Sequence, residues 1–67
     1  MILHCKVDLP KNGKNERTII TINEDEVLGV SRFVVMTIRK GRVSHKGEPT
    51  IAAALAQVAG ILALLDD

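Results

Sequence analysis

The chain has 67 residues, 46% of them hydrophobic, a formal charge of +1 and a single cysteine, Cys5. A chain of that length is expected to form one domain, residues 1–67, and it makes a marginal monomer, because it buries only roughly 60% of its unfolded surface. One cysteine excludes an internal disulfide, and one Cys with two His (His4 and His45) matches no metal-ligand spacing, so no metal or cofactor is expected and a partner subunit is left to supply stability.

Ile2–Leu9 alternates, with Leu3, Cys5, Val7 and Leu9 expected on one face and His4, Lys6 and Asp8 on the other. Period two describes a half-buried strand. Met1–Lys6 shows no basic start followed by an apolar run, which with the lone thiol makes the cytoplasm the expected location. Pro10–Glu16, with its Asn12-Gly13 pair, reads as a hairpin loop. Arg17–Asn23 is rich in β-branched residues and reads as a second strand, with Ile20 and Ile22 on one face and Ile19 on the other.

Asn23–Gly29 changes character. Asn23 followed three residues later by Glu26 fits a capping box, the acids Glu24, Asp25 and Glu26 suit a helix start, and Gly29 suits a stop. One short helical turn is expected there. Ser31–His45 reads as two strands joined at Lys40-Gly41. With Leu3, Cys5, Val7, Ile20, Ile22, Val34, Met36 and Ile38 assigned to the covered face of the sheet, Ile19, Phe33 and Val35 point outward as an interface or ligand platform.

Ile51–Leu65 follows, either behind Thr50 as N-cap or with Pro49 at the first helical position. Its side chains are aliphatic apart from Gln57, and a helix that is apolar all round is a buried one. Ile51, Leu55, Val58, Leu62 and Leu65 form a bulky stripe expected on the sheet. Ala52, Ala56, Ala59, Gly60 and Ala63 form a flat stripe expected against a second subunit, with the reverse assignment of the two stripes as the alternative and a dimer as the commonest assembly. Fifteen residues fall short of the approximately 20 that span a bilayer, so a membrane partner is not expected. The expected fold is α+β: a four-stranded antiparallel sheet in the order β-β-turn-β-β-α, with one apolar C-terminal helix packed on one face.

Catalysis is not expected. Ser44 and His45 are sequence neighbours, which point to opposite faces of a strand and cannot act as nucleophile and base together. Arg32–Lys46 holds five basic residues and no acid. Arg39, Lys40 and Arg42 at the turn, His45 and Lys46 beyond it, and Thr50 at the helix start compose a candidate site for a nucleotide-like anion, with Phe33 available for stacking. Lys11, Lys14 and Arg17 extend the basic track if the first loop lies beside Lys40. The alternative is a small inhibitor or accessory protein whose outward apolar patch meets an acidic protein. A nucleic-acid-binding module ranks behind both, because the chain is nearly neutral and has one aromatic residue.

Overall fold

The computed structural model describes residues 2–11 and 16–65. The elements run β1 (Ile2–Leu9), β2 (Thr18–Val27), β3 (Val30–Arg39), β4 (Arg42–Glu48) and α1 (Ile51–Leu65). The strands pair in sequence order as one antiparallel sheet, and α1 lies over β2, β3 and β4 on one face. The fold is the expected α+β arrangement. The Asn12-Gly13 pair and Lys14 of the first loop lie outside the described residues.

Two tight turns set the register. Leu28 and Gly29 have φ of 54° and 78°, and Lys40 and Gly41 have φ of 55° and 73°. Positive φ at both central residues marks the type I′ hairpin turn, whose twist matches that of the flanking strands. Val27 therefore sits opposite Val30, and Arg39 opposite Arg42. The Asn23–Gly29 segment is not a helical turn: Asn23, Glu24, Asp25 and Glu26 continue β2 against Val34, Phe33, Arg32 and Ser31. Pairing along ten residues satisfies more backbone groups than one isolated turn, and Gly29 serves the hairpin rather than a helix end.

That register corrects the faces of β3. Ile22 pairs with Val35 and Ile20 with Thr37, so Val35 and Phe33 lie under α1, while Val34, Met36 and Ile38 share the open face with Ile19. A bulge between Leu3 and Cys5 also turns Leu3 away: Leu3 sits opposite Asn23, but Cys5 sits opposite Ile22. The core is Ile20, Ile22, Val35, Ala54 and Val58, flanked by Cys5, Val7, Phe33, Ile61 and Leu62.

The inward stripe of α1 differs from the expected one at its start. Val58 and Leu62 pack inward as expected, but Ala54 takes the first core position, and Ile51 and Leu55 are exposed. Gln57 is half-buried and its amide donates to Glu48 Oε2 at 3.5 Å, so the one polar side chain of α1 is spent on the protein's own strand. Ala52, Ala56, Ala59, Gly60 and Ala63 all face outward.

Candidate ligand-binding site

Alternation about the Lys40-Gly41 turn puts Thr37 and Arg39 of β3 on the same face as Arg42 and Ser44 of β4. This is the α1 side of the sheet. Thr37, Arg39, Lys40, Arg42 and Ser44 line a groove of about 650 Å³ there. Arg39 is half-buried, and its Nε is shielded from solvent and has no hydrogen-bond partner. Lys40, Arg42 and Ser44 are exposed.

The electrostatics of the groove are one-sided. Arg39 and Arg42 are directly opposed across the strands, and like charges in that position destabilise a sheet. Among the described residues the ion pairs are His4–Glu24 and Arg17–Asp8, so no acid offsets the three cations of the groove. Two guanidinium groups, an ammonium group and two hydroxyls converge there. These donors match the oxygens of a phosphate or carboxylate.

The structure does not bring all the expected site residues together. Lys46 shares the groove's face of β4 but stands four residues from Arg42, about 13 Å along the strand. His45 points to the open face, opposite Met36. Phe33 lies under α1 with its ring 5.6 Å from that of His4. Thr50 lies two residues beyond the far end of β4, a strand that spans about 20 Å from Arg42 to Glu48. Thr50 is the N-cap: its Oγ1 accepts from the Ala53 N–H at 3.1 Å, and its carbonyl accepts from the Ala54 N–H at 3.1 Å. The Glu48 carboxylate is turned to the Gln57 amide, further along α1. The helix terminus therefore belongs to no common site with the cationic turn. A strand separates them, and that terminus is already capped by Thr50.

The β1–β2 loop does emerge beside the cationic turn, because Thr18 pairs with both Leu9 and Arg39. Lys11 is exposed there, but Arg17 is engaged: its Nε and Nη2 donate to Asp8 Oδ1 and Oδ2 at 3.2 and 2.9 Å. Those bonds from Arg17 hold the Asp8 carboxyl below its ordinary range.

A second polar cluster lies at the other end of the sheet. The β1 bulge brings His4 Nε2 to 2.7 Å from Glu24 Oε1. Hydrogen bonds from His4 and then Ser31 hold the Glu24 carboxyl below its ordinary range. A bulge is not legible from alternation, so this pair had no signal in the sequence. Thr37 and Ser44 did have one: they stand two residues outside Arg39 and Arg42, where period two puts them on the same face. No known protein family, curated protein or solved structure matches the chain. Among the described residues, no helix is long and apolar enough to cross a membrane.

Proposed function

We propose that this chain is a non-enzymatic binding protein that works as a homo-oligomer and takes an anionic, nucleotide-like ligand at the β3–β4 turn. One observation carries the reading: Arg39, Lys40 and Arg42 share a groove with Thr37 and Ser44, and no acid among the described residues neutralises them. The polyphosphate end of the ligand lies between the two guanidinium groups. The hydroxyls of Thr37 and Ser44 donate to its remaining oxygens. The helix start and Phe33 take no part.

Isothermal titration with inorganic pyrophosphate and with ADP tests this. A charge-assisted hydrogen bond contributes roughly 1.5–3 kcal/mol, so Arg39→Gln and Arg42→Gln should each weaken binding by about tenfold to a hundredfold. Lys6→Gln, at a position that faces the opposite side of the sheet, should leave it unchanged. Absence of binding to either probe, or equal losses in all three variants, rejects the reading.

A second reading, an accessory protein acting through protein contacts, is favoured by the open sheet face. Ile19, Ile38 and Val43 are consecutive across three strands, with Met36 and Val34 beside them. A photo-crosslinking residue at position 36 should trap a partner, while one at position 33, under α1, should not. Equal labelling at both positions removes this reading.

A further inference from the structure

β4 is an edge strand, paired with β3 on one side and open on the other. The phase of its backbone follows from the turn. Arg39 and Arg42 flank a two-residue turn and exchange both main-chain hydrogen bonds, and such pairs recur at every second residue. Arg42, Ser44, Lys46 and Glu48 therefore spend their N–H and C=O groups on β3. Val43, His45 and Gly47 turn theirs to the open edge, where no main-chain partner meets them among the described residues. We propose that this edge pairs with β4 of a second copy, antiparallel about a two-fold axis at His45, so that two sheets become one of eight strands. This deepens the homo-oligomeric part of the proposed function, and rests on it, by specifying the subunit contact.

Two observations select that occupant. The first is that this edge is open to pairing. Sheet edges are blunted by bulges, by proline or by a covering element. The β1 edge carries a bulge between Leu3 and Cys5, whereas the β3–β4 ladder runs from Arg39–Arg42 to Phe33–Glu48 without a shift. Every residue from Arg42 to Gly47 is exposed, so α1 leaves the edge uncovered. The second is that charge selects one register. An antiparallel copy must set Val43, His45 and Gly47 against one another, because only these residues turn their main-chain groups outward. Centred at His45, the pairing engages all three, and it sets Arg42 opposite the partner's Glu48 and Ser44 opposite the partner's Lys46. Centred at Ser44, it engages two of them and sets Arg42 opposite the partner's Lys46. Centred at Lys46, it sets two lysines face to face. Directly opposed like charges destabilise a sheet and opposite charges stabilise it. The basic residues of β4 thus reject the slipped registers and admit one, and the strand is self-complementary, as a two-fold contact requires. The same register reaches the anion groove, since Ser44 lines it. The groove gains the partner's Lys46 and the partner's Glu48, one base and one acid, and keeps its net charge.

Sedimentation equilibrium over a range of concentrations of the whole chain is the test, with far-ultraviolet circular dichroism as the control for folding. The wild type should pass from monomer to dimer. Arg42→Glu and Glu48→Arg should each weaken the dimer by about tenfold, because each sets like charges opposite one another at two places per dimer. The double variant Arg42→Glu with Glu48→Arg exchanges the charges and should restore it. His45→Pro removes an outward N–H and none from the β3 ladder, so it should stay folded and monomeric. Should His45→Pro fail to fold, the charge exchange decides alone. A monomeric wild type at the highest concentration overturns the proposal. So does a double variant that dimerises no more tightly than the single ones, or a folded His45→Pro that still dimerises. A dimer that Ala56→Glu dissociates and the β4 variants leave intact has its contact on α1, and overturns it too. Pyrophosphate titration of the same samples separates the two readings: a monomeric wild type that still binds ends only the pairing, and a dimer that does not bind ends only the ligand site.

Discussion

Leu28 offers a perturbation whose effect follows from backbone geometry with almost no contribution from contacts. Its φ is 54° and it is 98% exposed, so it loses almost nothing in packing when replaced. A non-glycine residue in the left-handed region is disfavoured by roughly 1–2 kcal/mol, and asparagine tolerates that region better than leucine because its short polar side chain bonds locally. Leu28→Asn should therefore stabilise the fold by about 0.5–1 kcal/mol. For a domain of this size that raises Tm by roughly 3–6 °C. Thermal unfolding followed by circular dichroism, at one fixed protein concentration, measures it. Gly29→Ala is the companion: a Cβ at Gly29 meets nothing within 4 Å, so any loss reports the strain of φ +78° alone, about 1 kcal/mol or more. An unchanged or lowered Tm in Leu28→Asn would refute the type I′ turn, and with it the register that sorts β3 into its two faces.

The two faces make a separate contrast. Ile20 is fully buried, so Ile20→Ala should cost about 2–5 kcal/mol, while Ile38→Ala on the open face should cost under about 1.5 kcal/mol by urea titration; similar losses would mean the faces are misassigned. Thr50→Ala should cost about 1 kcal/mol through the lost cap, and Thr50→Asn should restore it; a silent Thr50→Ala would show that the Ala53 N–H needs no side-chain acceptor. Acid should destabilise the protein in a defined sense. The Asp8 and Glu24 carboxyls both sit below their ordinary range, so their contribution is complete above the ordinary carboxyl pKa and is lost as pH falls through the depressed folded values. Glu24→Gln should flatten the fall of Tm between about pH 5 and pH 2, and an identical fall in the variant would show that the His4 contact does not bind the carboxylate.

The element order was legible from the chain because each signal was local. Period two marked the strands, Lys40-Gly41 marked a turn, and Thr50 ahead of an aliphatic run marked the helix. The cationic turn was legible for the same reason, since Arg39 and Arg42 flank two turn residues. Asn23–Glu26 misled because a cap motif and an acidic run are local preferences, and pairing with Ser31–Val34 overrode them. Once that turn was misread, the parity of β3 had no anchor, and a one-residue slip moved Val35 and Phe33 to the wrong side.

Composition and spacing by themselves determined that this chain makes an α+β sheet-and-helix unit whose helix has more apolar surface than one sheet covers. Only the tertiary structure decided which residues meet. Lys46 and Thr50 follow the cationic turn closely in sequence, yet an extended strand advances about 3.3 Å per residue and carries the chain roughly 20 Å before the helix starts. Thr37 and Ser44 are seven residues apart and reach the same groove, because a two-residue turn folds their strands back on each other. Alternation supplies the face of a side chain, but only the strand register supplies its neighbour.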